Sequence, residues 1–116
     1  MTLLGSVVAG ILFLTTTQVM AEASVETLGR ALFVDAKKGN CIACHRVQGD
    51  AEVSSQATVG PILKEIKQRF PDPARLRSLL WDAGSVSPNT IMPPYGRHRI
   101  LTEAEIEALA RYLENL

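Results

Sequence analysis

The feature that most constrains this chain is the run Cys41-Ile42-Ala43-Cys44-His45. Two thiols three residues apart, followed at once by an imidazole, form the pattern of covalent c-type haem attachment. The thiols bond to the two vinyl groups of the haem, and the imidazole becomes an axial ligand of the iron. The sequence therefore predicts one covalent haem c, bound by Cys41 and Cys44, with His45 as an axial iron ligand.

A pair of cysteines at this spacing also occurs in thioredoxin-like redox sites and in zinc sites. A thioredoxin-like site should follow a strand within a βαβ pattern, and a zinc site needs two further ligands. The chain has no third cysteine, and its only other histidine is His98. Both alternatives therefore fit poorly, and haem attachment is the favoured interpretation.

Length and charge agree with a small haem-binding domain. A chain of 116 residues makes one domain with a small core, which a buried, covalently bound macrocycle would stabilise. The 12 basic and 12 acidic side chains give a net charge of zero, so there is no general attraction to nucleic acid or to an anionic membrane. With both cysteines bound to haem, no disulfide and no free thiol remain.

Residues 1–21 carry no charged side chain and contain several apolar runs, which predicts an export signal cleaved after Ala21. The domains are then a signal peptide at 1–21 and a haem-binding domain at 22–116. The segment lacks a positive start, so an uncleaved membrane anchor stays open, although its polar residues are unusual for a spanning helix. Because bacterial c-type haem is attached outside the cytoplasmic membrane, we expect a periplasmic protein without stable membrane insertion.

The remaining pattern predicts an all-α domain, with four to five short helices around the haem. The predicted helices run from Glu22 to near Lys38-Gly39, over Ile62–Phe70, from Asp72-Pro73 to Trp81, and after a capping box of Thr102 and Glu105. The segments 46–59 and 83–99 are predicted loops. Gly29 lies in the apolar stripe of the first helix, which predicts close crossing by another helix unless the glycine is simply tolerated.

Met92 is the candidate for the second axial ligand. If Met1 and Met20 leave with the signal, Met92 carries the only thioether of the mature chain. It lies in a loop stiffened by Pro93-Pro94, which would hold the sulfur in place at little entropic cost. A lone methionine more often fills a core, and His98 is a rival ligand. For His98, a solvated basic turn with Arg97 and Arg99 is the favoured role.

This layout resembles the class I cytochromes c. In that family a proline carbonyl shortly after the haem motif accepts a hydrogen bond from Nδ1 of the proximal histidine. Pro61 is the matching residue for His45, although a simple turn proline is the alternative. The resemblance also implies that the first and last helices cross near the haem edge. Trp81 could donate its N–H to a haem propionate or fill the core.

A closer resemblance is carried by the segments 39–45, 60–61, 80–82, 88–96 and 100–106. Together they look like SoxX, the small monohaem subunit of the SoxAX cytochrome of thiosulfate oxidation. The resemblance implies a periplasmic heterodimer, in which a SoxA-type partner couples thiosulfate oxidatively to a carrier-protein cysteine, as an L-cysteine S-thiosulfotransferase. This subunit would pass electrons to a downstream acceptor and would not be catalytic alone.

Two other functions stay open at the level of sequence. One is a free-standing periplasmic class I cytochrome c that shuttles electrons. The other is an enzyme or sensor in which Met92 is labile and the haem binds small ligands.

Overall fold

The computed structural model describes the backbone of residues 6–116 and the side chains of residues 20–116. The helices of this part are α1 (Ser6–Val34), α2 (Ile66–Arg69), α3 (Pro73–Trp81), α4 (Ala83–Val86) and α5 (Glu103–Glu114). Between residues 6 and 116 there is no β-strand, only an isolated parallel bridge between Val47 and Leu63. The prediction of an all-α domain is confirmed.

The predicted signal peptide lies largely outside the described residues, which omit 1–5 and the side chains of 6–19. Helix α1 continues through Ala21 without a break, so the domain boundary at residue 22 and the cleavage site stay predictions. Among residues 20–116, whose side chains the structure describes, no helix is long and apolar enough to cross a membrane.

Helices α1 and α5 cross at Gly29. A Cβ atom at this position would overlap the carbonyl oxygen of Ala108 and lie 2.7 Å from Cβ of Tyr112. One turn further along α1, the Phe33 ring meets the Tyr112 ring edge-on, with centroids 5.5 Å apart. Gly29 is therefore required by the close approach, as predicted, and is not merely tolerated. The crossing forms the centre of the core, where Phe33, Ile106 and Leu109 are fully buried.

The predicted end of the first helix near Lys38-Gly39 is wrong, because α1 ends at Val34. Oδ1 of Asp35 accepts a hydrogen bond from the N–H of Lys37 at 2.8 Å. The Asp35 carbonyl accepts from the N–H of Lys38 at 3.0 Å. These local bonds offer the backbone an alternative to the helix, which is the usual effect of aspartate at such positions.

Two contacts and one backbone angle fix the path of the segment after α1. The Lys38 ammonium pairs with the Glu105 carboxylate of α5 at 2.8 Å. Asn40 is left-handed, with φ of 49°. Gly39 is needed because a Cβ there would lie 2.5 Å from the carbonyl oxygen of Leu32.

The helix predicted over Ile62–Phe70 shrinks to the single turn α2. Leu63 is instead extended, because its N–H donates to Arg46 and its carbonyl accepts from Gln48, both at 2.9 Å. This pairing draws the predicted surface loop 46–59 against the domain, and Val53 in that loop is buried.

The starts of α3 and α5 follow the predicted capping residues. Oδ1 of Asp72 accepts from the N–H of Ala74 at 3.0 Å. Thr102 and Glu105 form the reciprocal capping box, with bonds of 3.2 and 2.8 Å. Caps of this kind satisfy helix N–H groups that have no partner within the helix.

The segment 83–99 was predicted as a loop throughout, but it begins with the single-turn helix α4. Its cap is Asp82, whose Oδ1 accepts from the N–H of Gly84 at 3.2 Å. Gly84 lies within this turn, whereas Gly96 and the three prolines follow it, and the rest of the segment contains no regular helix.

Candidate haem site

The Cys-X-X-Cys-His motif forms a tight turn that follows the left-handed residue Asn40. The N–H groups of Cys44 and His45 both donate to the carbonyl of Cys41, at 3.1 and 2.9 Å. Cys41 is buried, and Cys44 and His45 are partly buried. Both cysteines are free thiols, so the motif contains no disulfide.

The His45 ring is held by the backbone of Pro61. Its Nδ1 lies 2.7 Å from the Pro61 carbonyl oxygen, which can only accept, so Nδ1 carries the proton. In the neutral imidazole the lone pair then lies on the remaining nitrogen, Nε2, which can bind a metal. The structure thus brings together the two atoms of the predicted hydrogen bond.

Gly60 packs directly against the same ring. A Cβ at this position would overlap the His45 imidazole and lie 2.7 Å from Nδ1. The Gly60 N–H also donates to the Cys44 carbonyl at 2.7 Å, which fastens the Gly60-Pro61 turn to the motif. The sequence analysis used Gly60 only as part of the segment 60–61 and predicted no contact between Gly60 and His45.

The structure separates the two candidates for the second axial ligand. Met92 is partly buried and packs against the hydrophobic core, and its N–H donates to Oγ1 of Thr90 at 3.1 Å. His98 is exposed in the turn that follows, where its N–H bonds the Pro94 carbonyl at 3.0 Å. The thioether, and not the second imidazole, therefore faces the interior.

The basic segment 97–99 is less open than its sequence suggests. The Arg97 guanidinium pairs with the Asp82 carboxylate at 3.1 Å, so part of its charge is locally balanced.

Trp81 is 40% exposed, and its ring covers Gly96, where a Cβ would overlap the indole. Trp81 is thus neither a fully buried core residue nor hydrogen-bonded through its indole N–H within the described residues.

Tyr95 connects the methionine loop to the haem motif, a contact that sequence reasoning missed. Its buried hydroxyl donates to the Gly39 carbonyl at 2.8 Å. Burial raises the pKa of the neighbouring Cys41 thiol to about 12, although the Tyr95 hydroxyl lowers it. Reactive thiols of disulfide oxidoreductases have lowered pKa values, so Cys41 does not fit thioredoxin-like chemistry.

A second missed cluster joins the loop 46–59 to the α1–α5 crossing. The Asp50 carboxylate lies 2.7 Å from Nε of Arg30 and accepts from the Tyr112 hydroxyl at 3.0 Å. Burial by itself would raise the pKa of Asp50, but the N–H of Glu52, the Tyr112 hydroxyl and the Arg30 charge together lower it. Arg30, Asp50 and Tyr112 are far apart in sequence, so no local pattern indicates the cluster.

The donor set fits a haem c better than a bare metal ion. Within the described part of the chain, no group of three or more His, Cys, Asp or Glu side chains could hold a metal ion. The motif instead offers two thiols and one imidazole, and the separate loop that contains Met92 offers a thioether. These are the attachment points and axial ligands that a covalent haem requires.

Comparisons with known proteins agree with this chemistry. The sequence-family model described as "Cytochrome c" matches residues 27–116. The chain is also 32% identical over 80 residues to an uncharacterized lipoprotein of Aquifex aeolicus (strain VF5), a match that covers 69% of this chain and 38% of the relative. The chain thus matches well under half the length of that relative.

Proposed function

The chain belongs to the cytochrome c family, and on that premise we propose that it is a periplasmic monohaem cytochrome, the electron-accepting subunit of a SoxAX-type L-cysteine S-thiosulfotransferase. The electron-transfer part rests on one observation above all. The Pro61 carbonyl holds Nδ1 of His45 at 2.7 Å and leaves only Nε2 for iron.

When bound, haem c supplies reversible one-electron transfer. Cys41 and Cys44 would hold it covalently, and His45 and Met92 would be the axial ligands. The Pro61 carbonyl orients the His45 ring and makes it a stronger base towards a metal. With both axial positions taken by protein side chains, the site suits outer-sphere electron transfer rather than substrate activation.

The division of labour in the proposed complex follows from the sulfur chemistry. Coupling thiosulfate to a cysteine thiol forms an S–S bond and releases one proton and two electrons. The subunit that performs the coupling needs a reactive sulfur site of its own. No thiol remains in this chain for that role once Cys41 and Cys44 are used for haem attachment. A SoxA-type subunit would therefore perform the coupling, and this subunit would carry the electrons to a downstream acceptor.

Exposed apolar side chains support a subunit rather than a free shuttle. Ile91, directly before Met92, is 80% exposed, and Val59, directly before Gly60, is 60% exposed. Apolar side chains beside the proposed ligand loops suit coverage by a partner protein. Such a contact would survive moderate salt, since it does not depend on charge.

The proposed location rests on the apolar, uncharged segment 1–21. Protein recovered from a periplasmic fraction should begin at Glu22. Recovery of the full chain from the membrane fraction would instead show that the segment is retained as an anchor.

The functional assignment is tested by measuring thiosulfate coupling to a carrier protein with this chain alone, with a SoxA-type subunit alone, and with both. We expect turnover with both, together with reduction of the haem, and slow or no reduction by thiosulfate in this chain alone. Full coupling activity from this chain alone would refute the electron-transfer role. Failure to bind any such subunit would indicate a free-standing electron shuttle.

A further inference from the structure

We infer that the Tyr95 hydroxyl is a positioning group: it ties the loop that carries Met92 to the segment that carries Cys41, and thereby strengthens Met92 as an iron ligand. This inference rests on the proposed ligation by Met92, and it adds a residue outside the haem motif to the site.

The tie is one hydrogen bond between distant parts of the chain. The Tyr95 hydroxyl donates to the Gly39 carbonyl at 2.8 Å, across 56 residues of sequence. Tyr95 is only 7% exposed, so its hydroxyl could not exchange this partner for water without moving. A buried hydroxyl that loses its carbonyl acceptor is costly, so the bond favours this position of the loop.

The acceptor end of the bond is rigid. Gly39 packs so closely on α1 that a Cβ would lie 2.5 Å from the Leu32 carbonyl oxygen and 3.2 Å from Sγ of Cys41. The Gly39 N–H also donates to the Leu32 carbonyl at 3.2 Å, so the residue as a whole has little freedom to follow a moving tyrosine. The Gly39 carbonyl is therefore a fixed point beside the first cysteine of the motif.

The donor end is also held. The Tyr95 carbonyl accepts from the N–H groups of Ile100 and Leu101, at 2.9 and 3.1 Å, just before α5 begins. Only Pro93 and Pro94 separate Tyr95 from Met92, and proline fixes its own φ angle. A fixed Tyr95 consequently restricts where Met92 can lie.

The test is Tyr95→Phe in the haem-loaded, oxidised protein, titrated with imidazole as a competitor for the methionine position. We expect imidazole to bind roughly fivefold more tightly in the variant, since the loop loses one intramolecular hydrogen bond. The near-infrared sulfur-to-iron band should disappear at a correspondingly lower imidazole concentration.

Tyr112→Phe is the matched control. It also removes one tyrosine hydroxyl hydrogen bond, to Asp50 at 3.0 Å, but on the α1–α5 side of the domain. It should lower thermal stability without changing the imidazole affinity. Equal imidazole affinities in the two variants would overturn the inference. A wild-type protein without the sulfur-to-iron band would instead refute the proposed ligation itself.

A second measurement needs no variant. Because coupling between two sites is reciprocal, displacing Met92 with imidazole should weaken the Tyr95 bond in the wild-type protein. Nuclear magnetic resonance should then show faster exchange of the Tyr95 hydroxyl proton with water after imidazole binds. Unchanged exchange would contradict the inference, even if Tyr95→Phe fails to retain haem.

Discussion

The imidazole Nδ1 of His45 lies 2.7 Å from the carbonyl oxygen of Pro61, 16 residues further along the chain. Because the acceptor belongs to the backbone, the orientation of the ring depends on the path of the turn and not on the proline side chain. The space for the ring is provided by Gly60, which lacks the Cβ that would overlap it.

Gly60→Ala should therefore damage the site much more than Pro61→Ala. The added Cβ must displace the His45 ring or the turn, and overpacking of this kind costs about 1–3 kcal/mol of unfolding free energy. Pro61→Ala keeps the carbonyl and loses mainly chain stiffness, which costs about 0.4–1 kcal/mol. Denaturant unfolding of both haem-loaded variants measures the difference, and equal losses would show that the close packing of Gly60 is unimportant.

The double substitution Cys41→Ser and Cys44→Ser should abolish covalent haem retention. Serine cannot form the thioether bonds, so acid-acetone extraction should remove all haem from the variant and none from the wild type. The mass of the wild-type protein should exceed that of its polypeptide by one haem. A wild-type protein that carried zinc and no haem would contradict the whole account.

Gly29→Ala should destabilise the domain, although alanine is the better helix former by about 1 kcal/mol. The new Cβ would overlap the Ala108 carbonyl oxygen at the α1–α5 crossing, so we expect a net loss of about 1–3 kcal/mol. Thermal unfolding provides the measurement. Gly84→Ala in α4, where the only close atom is Oδ1 of Asp82 at 3.3 Å, is the control and should change stability little.

Acid stability should depend on Asp50. The pKa of its carboxyl is lowered in the folded protein, since the bonds from Glu52 and Tyr112 and the Arg30 charge outweigh burial. A lowered folded pKa stabilises the protein above the unfolded value of about 3.9, and this contribution disappears as the pH falls through the folded pKa.

The melting temperature of Asp50→Asn should accordingly fall less steeply below about pH 4 than that of the wild type. Glu52→Gln is the matched control, because the Glu52 side chain is 76% exposed although it also pairs with Arg30. We expect the melting temperature of Glu52→Gln to fall at acid pH in the same way as that of the wild type. Identical pH profiles for Asp50→Asn and wild type would show that the cluster does not stabilise the fold.

Two helix starts encoded by neighbouring residues were predicted correctly from the sequence. The caps at Asp72 and Thr102 depend on one side chain and a nearby N–H, and both form as expected. The close crossing at Gly29 was also predictable, because a glycine within an apolar helical stripe costs stability unless it serves packing.

Other features that depend on distant contacts were not predictable. The pattern of Ile62–Phe70 favours a helix, but the bridge between Leu63 and Val47 overrides it at the start of that segment. The bonds from Tyr95 to Gly39 and from Tyr112 to Asp50 join residues 56 and 62 positions apart. A single sequence contains no signal for such pairs beyond the residue types themselves.

The central claim is a haem iron held by His45 and Met92, and one comparison of oxidised proteins tests it most directly. The near-infrared sulfur-to-iron band should be present in the wild type and in His98→Ala and absent in Met92→Ala. After reduction at neutral pH, only Met92→Ala should bind carbon monoxide. Loss of the sixth ligand in His98→Ala, with Met92→Ala unchanged, would contradict the account.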